Sequence, residues 1–462
     1  ASFDETTYSE AAQEVEENQA DWIDANRRFA GTGAYEDPDH WQDGDGVLGD
    51  LAPAQDAASA AYNEGLKTVF VVEDLISDVV RKRTTGVLGK SPSYALKREG
   101  SDDEEPSSDD QARQEALRRW FEGADVLEAL KAFATNLTVE AKAYLRPYVS
   151  LSALAEQARA EQDRAEQDRA EQDRSGAGDG EAPRLPDVSR PEEALEFIHV
   201  EVIGRDRAAL FTDPATKAEL GVIAFEEDPD ELGAEAKQPE GYVELTYVGD
   251  DGRTAYRQVF ESSDDQNVEW RAPLRGHLML YEGTSPLLIT DSVRRNQKDL
   301  NTKRTQISIS DNKTAFRSWN AIDVMQPTDA DGNPVEPEIG PGSFGFYFSV
   351  PTETANADGQ AETRRPSPQI NESDPVDNSN LRANCDAARE AIYRSVNQLH
   401  RAISGDATAS GESRIQARGE YVDDLKQLKS VVDGAGVWLV EVVWALAEVL
   451  AGQEPSEEFK GV

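Results

Sequence analysis

Residues 283–317, from Gly283 to Arg317, read GTSPLLITDSVRRNQKDLNTKRTQISISDNKTAFR, and the fold hinges on them. Pro286 to Ile289 is a short apolar lead-in, after which Thr290 or Asp291 can cap a helix by accepting from its first free amides. Val293, Leu300 and Ile307 then recur every seven residues, which predicts a helix with one narrow apolar stripe, its other faces carrying Asn, Gln, Lys and Arg. Such a helix is expected to be too polar for the core of a single subunit. Between Asp291 and Arg304 two acids stand against Arg294, Arg295, Lys298, Lys303 and Arg304, a balance of +3 in a chain whose total is -43.

The surroundings of that island are strongly acidic: 90 Asp+Glu against 47 Lys+Arg, with a pI near 4.4. This argues against a DNA-binding surface of the ordinary basic kind. It suits molar salt, where the Debye length shrinks to ~3 Å and like charges no longer repel at range. DNA mimicry and a basic partner are the other readings of the same balance. The single cysteine, Cys385, rules out an intramolecular disulfide, and the four histidines are scattered, so no Cys/His zinc pattern can be built. Neither a cofactor nor a metal is expected. The most apolar stretch, Gly434 to Gly452, carries Glu441 and Glu448 seven residues apart on one face, which predicts a buried amphipathic helix and no membrane span.

Before the opening stretch, Tyr8 to Phe29 has a polar helical pattern followed by a Gly/Asp/Pro-rich loop, expected to be an arm outside the core. Asn63 to Leu88 is an apolar helical pattern ending at Gly89 and Pro92. Gly89-Lys90-Ser91 imitates the end of a phosphate-binding loop, but Thr84 stands where that loop needs a glycine, and a helix precedes it in place of a strand. The interval from Arg81 to Arg98 nonetheless holds six bases and no acid. Gln111 to Tyr148 reads as two helices, and residues 155–174 are an A-E-Q-D-R repeat with no core-forming residue beyond Ala. From Phe197 the period drops to two: Phe197–Ile203, Leu220–Phe225, Tyr242–Val248 and Thr254–Phe260 predict strands, with a hairpin at Gly249–Gly252. After the polar helix, Phe344–Val350 reads as a strand and residues 351–379 are nearly devoid of apolar side chains. Helices resume near Ser379, with His400 expected to be exposed or capping, and Gly434 and Gly436 are expected to interrupt the last long helix.

No G-x-S-x-G, H-E-x-x-H or G-x-G-x-x-G pattern is present. Four pieces in order carry a resemblance instead: G-V-L-G-K-S-P at 86–92, E-L-T-Y-V-G-D-D-G-R-T at 244–254, P-L-L-I-T-D-S-V-R-R-N-Q-K-D-L-N at 286–301, and S-G-E-S-R-I-Q-A at 410–417 before a long and then an apolar helix. Over roughly residues 60–450 the chain resembles the portal proteins of tailed viruses, here one of a halophilic host, an archaeon.

The resemblance implies a non-enzymatic α+β ring subunit with a helical wing and crown, stem helices and a β-containing clip. It implies a ring, usually of twelve copies, at one capsid vertex of the virion, assembled in the host cytoplasm. Duplex DNA would pass through its channel during packaging and ejection. Its partners would be the terminase packaging motor, the major capsid protein and a head–tail adaptor, with no membrane. Mapped onto this chain, residues 1–60 are an N-terminal arm, 61–190 the wing with its exposed repeat, and 191–203 a first stem segment. Residues 204–282 supply the clip, 283–312 the stem helix, 313–379 wing strands and a tunnel loop, and 380–462 the inner wing and crown helices. The five bases of the stem helix become channel or intersubunit residues, and Arg364, Arg365, Glu372 and Asp374 belong to the tunnel loop. Two rivals stand beside this reading: a capsid-associated scaffold or head–tail adaptor without a DNA channel, and an acidic hydrolase using paired carboxylates.

Overall fold

The computed structural model describes residues 15, 21–31, 71–90, 92–98, 107–123, 126–149, 188, 190–212, 219–225, 242–249, 251–260, 266–315, 319–324, 344–347, 352–355, 361–364, 367–372, 377–402, 411–456 and 459–461, with four single positions between 328 and 333. The described chain is mixed α and β. It runs α1 (Asp21–Ala30), α2 (Leu75–Leu88), β1 (Leu96–Arg98), α3 (Ser108–Gly123), α4 (Val126–Glu140), β2 (Lys142–Val149), the single turn α5 (Pro191–Ala194) and a 3-10 turn (Leu195–Phe197). Strands follow as β3 (Ile198–Gly204), β4 (Ala208–Thr212), β5 (Glu219–Phe225), β6 (Tyr242–Val248), β7 (Thr254–Phe260), β8 (Gln266–Pro273) and β9 (Tyr281–Thr284). Then come α6 (Asp291–Ala315), β10 (Trp319–Ile322), β11 (Phe344–Tyr347), β12 (Thr352–Ala355), β13 (Ala361–Arg364), β14 (Gln369–Glu372), α7 (Ser379–Ser395), α8 (Leu399–Ala402), α9 (Gly411–Leu450) and β15 (Phe459–Gly461).

Two cores organise these elements. In the larger, the apolar half of α9, with Val432, Leu439, Val443 and Trp444, packs against Leu130, Phe133 and Leu137 of α4 and Ala143 and Leu145 of β2. In the smaller, Ile76, Val79 and Val80 of α2 meet Val293 and Leu300 of α6 and Cys385, Ala388 and Ile392 of α7. The helix α9 is long and apolar enough to cross a membrane, yet Val442, Val443 and Leu446 are buried among protein side chains. The two carboxylates of its apolar half are held: Glu448 accepts from Arg275 at 2.9 Å and from the Trp444 indole at 2.8 Å, and Glu441 lies 3.3 Å from His277.

The strands between residues 198 and 284 form two sheets. β4 to β8 make a five-stranded antiparallel meander, and the expected hairpin joins β6 to β7. Its turn is built by Gly252 at φ +65, which a side chain would strain, and by Asp251. The Asp251 carboxylate accepts from the Thr254 hydroxyl and from the Thr254 and Arg253 amides, which pulls its pKa down to about 2. β3 and β9, where the chain leaves for this meander and returns, lie on either side of β2. A buried pair, Arg146 to Glu244 at 2.5 Å, ties β2 to β6 and so joins the two sheets.

Several expectations are corrected. The second helix of the 111–148 block ends at Glu140, and its remainder is the strand β2, whose aromatic and branched residues suit a buried sheet. Pro147 is tolerated there because the β9 ladder ends at Leu145, leaving one neighbouring strand at that point. Segment 191–203, expected to be a first stem helix, is one helical turn, a 3-10 turn and β3; Ala194, Leu195 and Ile198 belong to the larger core. The arm expectation fails for α1, whose Ile23, Asn26 and Phe29 are buried. Arg27 of α1 clamps Glu140 and Asp206, and these partners raise its already high pKa despite its partial burial.

Of the helix expected over residues 63–88, residues 63–70 lie outside the described residues, 71–74 are not helical, and α2 begins at Leu75, capped by Asp74, which accepts from the Ser77 amide at 2.9 Å. Gly434 and Gly436 do not interrupt α9; an added Cβ at Gly434 would lie 3.1 Å from the Tyr281 hydroxyl, and one at Gly436 would strike the Tyr94 ring. Close approach, not helix breaking, explains both glycines. His400 is stacked on Tyr421 with ring centroids 4.8 Å apart, and burial first, then Arg401 and Arg418, push its pKa down. The A-E-Q-D-R repeat lies outside the described residues.

Arg83 is the largest fully buried side chain, donating from two nitrogens at 2.8 Å to Asp424 and so joining α2 to α9. Removing one partner of such a pair strands a buried charge, at a cost of about 3–5 kcal/mol. Arg83→Met is therefore expected to lower the unfolding free energy by about that much in denaturant titrations at fixed salt. Arg118→Met, which breaks the exposed pair with Glu115, should leave the midpoint in place.

Candidate functional site

The site expected from the sequence is α6, which runs for 25 residues from Asp291. Its first helical bond is Arg294 N–H to Thr290 O at 3.1 Å, so the chain turns helical where Thr290 or Asp291 was expected to cap it. Val293 and Leu300 are buried, and Ile307 packs against the same smaller core.

The expectation that α6 is too polar for one subunit's core does not hold. Gln297, Asn301 and Thr305 are as fully buried as the apolar stripe. They accept from the backbone amides of residues 71–75: Leu75 N–H to Gln297 Oε1 at 3.1 Å, Glu73 N–H to Asn301 Oδ1 at 3.0 Å, and Val71 N–H to Thr305 Oγ1 at 3.1 Å. Gln297 returns a bond from Nε2 to the Glu73 carbonyl. The spacings match because every second amide of an extended chain repeats in about 6.7 Å, and every fourth residue of a helix in about 6.0 Å. Residues 71–74 thus form a strap antiparallel to α6, and its amides are held too well for α2 to extend backward through them.

The bases of α6 fall into two groups. Arg304 and Arg389 of α7 both bond the Glu73 carboxylate, Arg389 at 2.7 Å. Burial by itself raises the Glu73 pKa, but the two guanidinium groups outweigh it and the net shift is downward; the Arg389 pKa is raised in return. Arg294 bonds Asn26 at 2.5 Å and Asp291 at 2.9 Å, Arg295 lies 2.6 Å from Asp291, and Lys303 pairs with Asp299. Lys298, half-buried, has no carboxylate within ion-pair distance among the described residues.

A cavity of about 540 Å³ opens between the strap, α6 and α7, lined by Val71, Arg304, Ile307, Ser308, Asp311, Arg382, Cys385, Asp386 and Arg389. Arg382 pairs with Asp311 at 3.0 Å and Arg389 with Asp386 at 2.5 Å, so its charges are matched internally. Burial pushes the Cys385 thiol up, which keeps it protonated and unreactive. Among the described residues no group of three His, Cys, Asp or Glu could hold a metal ion.

Of the expected tunnel-loop residues, Arg364 ends β13, opposite Thr352 at the base of the β12–β13 hairpin. Glu372 ends β14 opposite Trp319 of β10, while Arg365 and Asp374 lie outside the described residues. The hairpin sits between β11 and β14, which flank β10. Sequence reasoning missed Glu73, Arg389 and the Gln297–Asn301–Thr305 row; the row's four-residue spacing, interleaved with Val293 and Leu300, was the available signal.

Asn301→Leu leaves the Glu73 amide without its acceptor and is expected to destabilise the chain by about 1–3 kcal/mol in denaturant unfolding. The depressed pKa of Glu73 gives a pH dependence with a definite sign. Its contribution is full above the ordinary carboxylate range and is lost as pH falls through its lower folded value. Glu73→Gln should therefore reduce stability at neutral pH and flatten its decline below about pH 4.5; an unchanged slope would remove Glu73 from the acid response.

Compared with known proteins, the chain matches no family profile and no curated protein.

Proposed function

We propose that this chain is the portal subunit of a tailed virus. It assembles as a ring of about twelve copies at one capsid vertex, admits duplex DNA, docks the terminase motor and later the head–tail adaptor, and is set in the major capsid protein. The observation that carries the reading is the way two modules each leave and rejoin a small three-stranded sheet. Residues 205–280 depart after β3 and return at β9, on either side of β2; the β12–β13 hairpin departs after β11 and returns at β14, on either side of β10. A ring subunit needs such projections: the meander as the clip, and the hairpin as the tunnel loop. α6 follows the meander directly, as a stem helix does, with one flank consumed by the strap and Ser292, Arg295, Asp299 and Gln306 exposed on the remainder. A closed ring requires different surfaces on the two sides of each copy, and an acidic channel lets DNA slide where a basic one would hold it.

A ring without DNA, as in an adaptor or capsid scaffold, is the second reading. It is favoured by the intrachain partners of Arg294, Arg295, Lys303 and Arg304, which leave Lys298 as the one unpaired base of the five among the described residues.

Electron microscopy of the purified chain in molar salt tests the portal reading. Closed rings with an axial hole of about 20–40 Å are expected; monomers or open filaments would contradict it. In assembled particles Lys298→Gln should weaken DNA retention while leaving the ring intact, whereas unaltered retention favours the adaptor.

A further inference from the structure

Lys131, Lys142, Lys303, Lys426 and Lys429 each lie within ion-pair distance of a carboxylate. Half-buried Lys298 and exposed Lys82, Lys90 and Lys97 have no such partner among the described residues. The three exposed ones come from the interval 81–98, with its six bases and no acid.

The fold sets this interval along one flank of α9. The Tyr421 hydroxyl donates to the Lys82 carbonyl at 3.3 Å, and Gly436 receives the ring of Tyr94, in the link to β1. Those two anchor points are separated by about 22 Å of helix. In β1, Lys97 is in register with position 460 of β15. Arg83 turns inward, to Asp424, and Arg81 pairs with Asp78 on its own helix.

Lys82 is near enough to Asp78 to help lower its pKa, but lysines with no ion pair among the described residues are open to an anionic partner, either nucleic acid or acidic protein. In the molar salt that this composition suits, contacts to Z phosphates weaken with a slope of about −0.9Z in log salt. Ion pairs closed off inside an interface are screened far less. The chain itself, at -43, offers carboxylates over its remaining surface.

We propose that the Lys82–Lys90–Lys97 flank of α9 is one half of a head-to-tail contact whose other half is an acidic surface of a second copy of this chain. The inference rests on the ring reading only in requiring that copies associate through two different surfaces.

The test is the full chain carrying Lys82→Glu, Lys90→Glu and Lys97→Glu, compared with wild type by sedimentation in molar salt and by thermal unfolding of the separated monomer. The variant should remain monomeric at concentrations where wild type assembles, with an unchanged unfolding midpoint. Should it misfold, the Lys→Gln triple decides: at least tenfold weaker association supports the contact, and equal association overturns it. Variant assemblies like wild type overturn the proposal, as do intact assemblies that lose only DNA retention. Rings in both proteins overturn the contact but keep the ring reading. Open oligomers in wild type that vanish in the variant keep the contact and remove the ring. Wild-type monomers at every concentration remove both.

Discussion

The structure depends on a side chain-to-backbone ladder between α6 and the strap before α2. Gln297, Asn301 and Thr305 present one acceptor per helical turn, and Leu75, Glu73 and Val71 present one amide per two extended residues. The repeats differ by about 0.7 Å per rung, so the match lasts for a few rungs only. It is nevertheless enough to bury a polar helix face inside one subunit, because the acceptors of Gln297, Asn301 and Thr305 each meet a backbone donor, with the Asn301 Nδ2 left as a buried donor without a partner among the described residues. Glu73, the residue of the middle rung, then draws Arg304 and Arg389 together and so docks α7 on α6. The start of α2, the docking of α7 and the pairing of Arg304 follow from that arrangement.

Much of the architecture was legible in local pattern. Period-two runs marked β3, β5, β6 and β7; the Gly249–Gly252 turn, capped by Asp251, marked the hairpin; Val293, Leu300 and Ile307 marked the buried stripe of α6. What escaped was decided by tertiary partners. Gly434 and Gly436 look like breaks until Tyr281 and Tyr94 are seen against them. β2 looks helical until β3 and β9 flank it. Val71 to Asp74 look like the first turn of α2 because nothing local reveals that α6 will take their amides. The polar row on α6 was visible as residue types, but its role required knowing that an extended segment 222 to 234 residues away in sequence lies on it.

Charge is organised on the same principle of internal matching. Arg83–Asp424, Arg146–Glu244 and Arg275–Glu448 each join elements distant in sequence, and each is largely buried. Pairs of this kind stay effective when salt has screened the exposed surface to a range of ~3 Å. In so acidic a chain, a base is therefore informative by the partner it has or lacks. Most of the α6 bases have intrachain ion pairs or hydrogen bonds, whereas among the described residues Lys82, Lys90 and Lys97 beside α9 have no carboxylate at ion-pair distance.

Amide hydrogen exchange at Val71, Glu73 and Leu75 tests most directly whether α6 is built to hold a strap by its backbone. The account predicts slow exchange at Val71 and Glu73, although neither lies in a helix or strand, and faster exchange at Glu73 in Asn301→Leu. Exchange of Val71 and Glu73 at the rate of an unstructured chain, or protection indifferent to Asn301, would contradict it.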